Sequence, residues 1–309
     1  MLAPVMPTQE GALRLFRLSG IDVFLHWSWF LVALYEIQLR SREYGSPLWN
    51  AAEYLALFGI VTMHEFGHAL ACRSVGGRAE RIVLWPLGGV AYVDPPQRPG
   101  ATLWSIAAGP LVNVALVPVL FGLLAVGRSL GWAGDAPDAM ALLRAVAITN
   151  VIVLAFNLLP VYPLDGGQIL RSLLWFVVGR ARSLMVATAI GFLGVLAIAY
   201  LAVRTASVWL GIMAAFVGMN CWRGFQHAKA LSAVARLPRR AGFACPSCRS
   251  APPIGAFWGC GACGAAFDTF EAGAVCPACG ARFGATRCAD CGRQSPIDEW
   301  SVPVPVRPY

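Results

Sequence analysis

Charge is what this sequence has least of. Of its 309 residues only 13% are Asp, Glu, Lys or Arg, and the mean hydropathy is +0.62. An ordinary soluble domain carries about 25% charged residues. The shortage excludes a soluble globular chain and leaves a multi-span membrane protein. Lysine is nearly missing: Lys229 stands alone, so the net charge of +8 is almost entirely arginine. Those arginines sit in loops between apolar runs. That placement suits topology signals and anionic lipid headgroups, and no nucleic-acid patch is evident. Residues 1–20 lack an apolar core long enough for a cleavable signal peptide. Histidine is scarce, with four in the chain. Cysteine is confined: apart from Cys72 and Cys221, read as small apolar residues, all of it lies between residues 245 and 291.

What is present is a series of apolar runs. They predict an all-α polytopic membrane protein with about six transmembrane helices, a short re-entrant β segment and a small C-terminal zinc-ribbon domain. The spans are expected at about 22–39, 51–73, 102–126, 141–159, 184–203 and 206–222. The stretch Ile82 to Val93 is too short to cross and is rich in β-branched residues and glycine. It reads as a re-entrant strand or hairpin, tolerated at membrane depth only when buried in protein. Domain bounds follow: a cytoplasmic leader 1–20, a membrane domain 21–225, a basic linker 226–243, a ribbon 244–301 and a Pro-rich tail 302–309. With the N-terminus inside, the inner loops hold Arg73, Arg78, Arg98, Arg180 and Arg182 with the whole basic linker. They outnumber the arginines of the outer loops. Both termini of this multi-pass protein are therefore expected in the cytoplasm.

The second span contains Met63-His64-Glu65-Phe66-Gly67-His68, an H-E-x-x-H motif. On a helix, residues four apart share one face, so His64 and His68 are placed to hold one zinc ion. Glu65 stands beside them, where a carboxylate serves as general base toward a water activated by the metal. Ionisable groups at membrane depth are costly and mark function. A catalytic zinc takes three protein ligands. Asp165, in Pro160-Val161-Tyr162-Pro163-Leu164-Asp165-Gly166-Gly167, is the third expected ligand, because the prolines and glycines unwind the chain there on the same side of the membrane. The bland alternative is that Asp165 caps a helix starting near Gln168. Asn113 and Asn157 are expected to hydrogen-bond substrate backbone, or else simply to join helices. Gly109-Pro110 reads as shaping packing, and His26 as an interfacial residue.

Together, H-E-F-G-H in one span, G-P-L-V-N in a later one and N-x-x-P-x-x-P-L-D-G-G after another resemble the site-2 protease family of intramembrane zinc metalloproteases. The stretch Gly20 to Ser28 and the Leu87-Gly88-Gly89 turn resemble it as well. The likeness covers roughly residues 20–225. It implies that His64, His68 and Asp165 bind zinc, that Glu65 is the general base, and that the substrates are transmembrane proteins cut near the membrane surface. No insertion is long enough for the PDZ domain that some members carry.

The tail carries four C-x-x-C pairs: Cys245/Cys248, Cys260/Cys263, Cys276/Cys279 and Cys288/Cys291. Eight thiolates suit two closed tetrahedral sites, so two structural zinc ions are expected beside the catalytic one. Spacing leaves sequential, nested and cross-braced pairings open, and disulfides are disfavoured in the cytoplasm. Such a ribbon offers a surface for a protein partner or a substrate tail. Two competing readings remain: a non-proteolytic scaffold that presents the ribbon, and a metal transporter.

Overall fold

The computed structural model describes residues 11–39, 44–85 and 88–300. The Pro-rich tail expected over 302–309 lies outside the described residues. The described part begins with two strands, β1 (Ala12–Leu18) and β2 (Ile21–His26), then a short helix α1 (Ser28–Leu39) and a long one, α2 (Pro47–Ser74). Two more strands follow, β3 (Arg78–Trp85) and β4 (Gly88–Asp94). The helices α3 (Pro99–Ser129), α4 (Trp132–Asp135), α5 (Pro137–Asn157), α6 (Asp165–Val178), α7 (Arg180–Arg204) and α8 (Val208–Ala235) complete the membrane part.

Among the described residues, four helices, α2, α3, α5 and α7, are long and apolar enough to cross a membrane. They cover the expected second to fifth spans. Most of their length faces outward: Leu193, Leu196 and Val203 on α7 are exposed, as lipid-facing residues must be. The expected sixth span falls in α8, which is long enough but is interrupted by Asn220, Arg223, Gln226 and Lys229. Helix α8 also runs on through Ala235, so the first part of the expected basic linker is helical.

The expected first helical span is corrected. Residues 21–26 form a strand, and α1 has 12 residues, about 18 Å of helix against about 30 Å of hydrocarbon. The cause is pairing on both edges, with β1 in a local hairpin and with β3 at long range. Strand β2 lies parallel to β3, matching Asp22 with Arg81 and Leu25 with Leu84. It alternates buried Ile21, Val23 and Leu25 with half-buried neighbours. Those residues pack on Ala69 and Cys72 of α2, with Ile82 and Leu84 of β3. The re-entrant segment is therefore half of a four-stranded sheet, ordered β1-β2-β3-β4. The expected leader supplies its first strand, held to β2 by Arg14 and Asp22 at 2.6 Å. Arg73, near the end of α2, donates to the carbonyls of Ala79 and Gly20 and so ties helix to sheet.

The ribbon is built on turns and two small hairpins, β5 (Trp258–Gly259) with β6 (Ala266–Phe267), and β7 (Thr286–Arg287) with β8 (Gln294–Ser295). Trp300, fully buried, packs on Phe270 with Cys245 and Cys288. Phe267 is buried as well, whereas Phe257 is largely exposed.

Candidate active site and metal centres

Helix α2 starts cleanly, with Ser46 capping and Pro47 in the first turn. Its register then places His64 and His68 one turn apart on the face turned toward α3. Both are buried. Their Nε2 atoms lie 3.1 Å apart. Asp165, the first residue of α6, reaches the same point. Its Oδ2 stands 3.0 Å from His64 Nε2 and 3.4 Å from His68 Nε2. The capping alternative is not what the geometry shows: Leu164 holds the cap position, with no side-chain cap bond. Nor do Gly166 and Gly167 lie against the three donors. A Cβ on Gly166 would strike the Leu158 carbonyl at 2.3 Å, and one on Gly167 the Tyr162 amide at 2.4 Å. These glycines let the loop 158–162 fold tightly over the first turn of α6, which aims the Asp165 carboxylate.

The three donor atoms fit a metal ion. Bonds of about 2.0–2.1 Å to a tetrahedral zinc put ligand atoms about 3.3 Å apart, close to the three separations found. The protons are arranged to match. His68 Nδ1 donates to the Ser105 carbonyl at 2.9 Å, and a carbonyl can only accept. His64 Nδ1 donates to Asn113 Oδ1 at 2.6 Å. With both protons on Nδ1, both Nε2 lone pairs are free and face the same point.

Glu65 sits beside this cluster, buried, and its Oε2 accepts the Ala91 amide at 2.8 Å. That amide belongs to β4, whose other edge pairs with β3 and whose near edge has no strand partner among the described residues. Strand β4 passes so close that a Cβ on Gly89 would lie 2.3 Å from Glu65 Cγ. Gly109 plays the same part on α3, where a Cβ would lie 2.3 Å from His68 Nε2. Its sequence reading as a packing residue understates it: it makes room at the donor atoms.

Asn113 is fully buried, and its amide is engaged at both ends, by His64 and by Asn150. Asn157, the last residue of α5, is half-buried. Asn150 was not singled out from the sequence, although a polar residue inside a span was the available signal. His26 is turned to Ser28 and Trp85, away from the cluster.

In the ribbon the pairing is nested. Cys245 and Cys248 gather with Cys288 and Cys291, and Cys260 and Cys263 with Cys276 and Cys279. Sulfur separations are 3.6–3.7 Å. That is far beyond the roughly 2.05 Å of a disulfide and close to the about 3.8 Å edge set by Zn–S bonds of about 2.3 Å. The first centre meets the membrane part: Arg98 Nε donates to the Ser247 carbonyl at 3.2 Å, and Arg180 to that of Asp290. Arg180 also donates to Gln97 Oε1 at 2.7 Å. Within the ribbon, burial alone would push the Asp268 carboxyl up. The Gly255 amide, the Arg240 guanidinium and the Phe270 and Glu271 amides together hold it below its ordinary value.

Comparison with known proteins points one way. The model of "Peptidase family M50" matches residues 52–133 and 133–201. A zinc metalloprotease of Methanocaldococcus jannaschii is 34% identical over 180 residues, 58% of this chain and 50% of the relative. Stage IV sporulation protein FB of Bacillus subtilis is 32% identical over 118 residues, 38% of each. The solved site-2 protease of M. jannaschii superposes with a TM-score of 0.52 at 27% identity, covering 69% of this chain and 95% of that one. The chain thus spans about half the length of the curated relatives it matches.

Proposed function

The chain belongs to peptidase family M50, the site-2 protease family, and from that premise we propose that it is an intramembrane zinc metalloendopeptidase that cuts transmembrane substrates near the cytoplasmic membrane face. The observation that carries this is the meeting of His64 Nε2, His68 Nε2 and Asp165 Oδ2 within 3.4 Å, beside the buried carboxylate of Glu65. His64, His68 and Asp165 are the zinc ligands. Bound there, the zinc supplies Lewis acidity toward the scissile carbonyl and acidifies water. Glu65 takes the proton of the attacking water and returns one to the leaving amine. Its bond from the Ala91 amide fixes one carboxylate oxygen and leaves the other for that proton.

A peptide bond within a helix is shielded by its own hydrogen bonds, so the substrate must be extended at the cut. The edge of β4, which no other described strand covers, suits strand addition, with main-chain bonds giving affinity independent of sequence. A substrate strand laid there would run past Glu65. Asn157 is the remaining expected substrate contact.

The arginine distribution favours both termini in the cytoplasm. Strand β2 and helix α1 have contour lengths of about 20 Å and about 18 Å, against about 42 Å for the 28 residues of α2. The first of six crossings is then a strand continued by a short helix, and α8 is the last. The ribbon follows α8 and touches the starts of α3 and α7, so all three lie on one side. Two structural zinc ions sit in the nested cysteine sets, and the half of the ribbon away from Arg98 and Arg180 is left for a protein partner or substrate tail.

The test is co-expression of the chain, or its Glu65→Gln form, with tagged single-span membrane proteins. Fragments specific to the unaltered chain, together with unchanged zinc content in Glu65→Gln, are expected. Equal fragment patterns from both would refute the proposal.

A further inference from the structure

We propose that Asn150 is a positioning residue: it fixes the orientation of the Asn113 amide and through it the tautomer of His64 that can bind metal. This rests on the metalloprotease reading above. An amide side chain has two faces of similar shape, one donor and one acceptor. If Asn113 turned its NH2 toward His64 Nδ1, that nitrogen would have to accept. The proton would then move to Nε2, and the lone pair needed for zinc would be lost. Something must therefore hold Asn113 the right way round.

The hydrogen bonds show what does. Asn113 Nδ2 donates to Asn150 Oδ1 at 2.8 Å, and Asn150 Nδ2 donates to the backbone carbonyl of Asn113 at 3.0 Å. A backbone carbonyl cannot donate, so this last partner is fixed in kind. Reversing Asn150 would set two acceptors against each other, its own Oδ1 and the Asn113 carbonyl. Asn150 is thus held by the backbone, Asn113 by Asn150, and His64 by Asn113. Both asparagines are fully buried, so water cannot supply an alternative partner to either. His68 needs no such relay, because the Ser105 carbonyl that it faces is itself backbone. The two metal-facing imidazoles are therefore oriented by the same means, one directly and one through two side chains from α3 and α5.

The experiment uses the full chain in detergent, with bound zinc measured across a series of zinc buffers. The His68→Ala chain gives the baseline contributed by the ribbon. Asn150→Leu is expected to weaken zinc binding at the membrane site about 10- to 100-fold, with cleavage recovering as free zinc is raised. Asn150→Asp, which when protonated offers one donor and one acceptor as asparagine does, should bind within a few-fold of the unaltered chain. Asn113→Asp, when ionised beside the His64 imidazole, has no donor end and cannot face His64 wrongly. Combined with Asn150→Leu, it should restore most of the lost affinity, a rescue that a purely structural defect would not show. Asn150→Ala serves as a second variant should the leucine fail to fold, judged by thermal melting. Unchanged zinc affinity in a folded Asn150→Leu or Asn150→Ala chain, or no rescue by Asn113→Asp, would overturn the proposal. An unaltered chain that binds no zinc above the His68→Ala baseline would instead remove the metalloprotease reading on which it rests.

Discussion

Gly109 of α3 stands edge-on to His68 of α2, so close that a methyl group on Gly109 would lie 2.3 Å from His68 Nε2 and 2.8 Å from His64 Nε2. The space that the metal needs is therefore kept by a missing side chain on the neighbouring helix. Within a helix, alanine is more stable than glycine by about 1 kcal/mol, so Gly109→Ala should not weaken the bundle through the backbone. We expect this variant to melt at or near the temperature of the unaltered chain while losing one zinc per molecule and all cleavage. Metal analysis alongside thermal melting checks it, and a Gly109→Ala chain that keeps its full zinc complement contradicts it.

The second relationship joins β4 to Glu65. The Ala91 amide points away from β3 toward the carboxylate, so proline at 91 would delete that donor without breaking the ladder, as edge positions allow. A hydrogen bond to a charged group contributes about 1.5–3 kcal/mol, or roughly 10- to 100-fold. Ala91→Pro should lower the cleavage rate by about that factor and leave zinc content unchanged. A fall in zinc content parallel to the fall in rate would place the role of Ala91 elsewhere.

How much of this was legible beforehand depends on how local each feature is. His64, Glu65 and His68 lie within five residues, and helical periodicity alone brings them together. Asp165 was readable because the prolines and glycines around it unwind the chain at a definite depth. The run 22–39 reads as one helix because an apolar run of that length looks the same whether it is helix or strand followed by helix. What makes Ile21 to His26 a strand is its pairing on both edges, with Ala12 to Leu18 in a local hairpin and with Arg81 to Leu84, more than fifty residues away. Asn150 was overlooked for a similar reason: its meaning lies in Asn113, on another helix. In the tail, ligand type was plain from spacing, but four equivalent C-x-x-C pairs do not state their partners, and the folding of the hairpins decides.

The nested arrangement has a stoichiometric consequence. Cys245 and Cys291 belong to one centre, whereas Cys245 and Cys260 belong to two. A closed four-thiolate site that loses one ligand loses most of its affinity, and a second loss at the same site adds little. Cys245→Ser with Cys291→Ser should therefore remove one zinc from the ribbon, and Cys245→Ser with Cys260→Ser should remove two. Metal counting on the purified double variants decides it. Because metal binding supplies much of the folding free energy in so small a domain, prolonged chelation should unfold the ribbon while the membrane helices persist, read as protease-sensitive tail and unchanged helical circular dichroism.

Arg180 is where the two parts of the chain are joined most directly. At the start of α7 it donates to the Asp290 carbonyl in the last knuckle and to Gln97, just after β4. Asp290 is held in turn by the forked contact of Arg239, at 2.6 and 3.1 Å. Replacing Arg180 with leucine removes the charge-assisted donors and leaves a ribbon carbonyl facing an apolar group. At about 1.5–3 kcal/mol per charged hydrogen bond, the docked ribbon should separate from the bundle at least tenfold more often. Amide exchange should then quicken in residues 236–250 and at the start of α3, while both cysteine centres keep their zinc. The strand that supports Glu65 ends at Asp94, close to Gln97, so loosening should also reach β4. A Arg180→Leu chain with faster exchange in the ribbon but none in residues 88–94 would show that the docking contact and the candidate active site move independently.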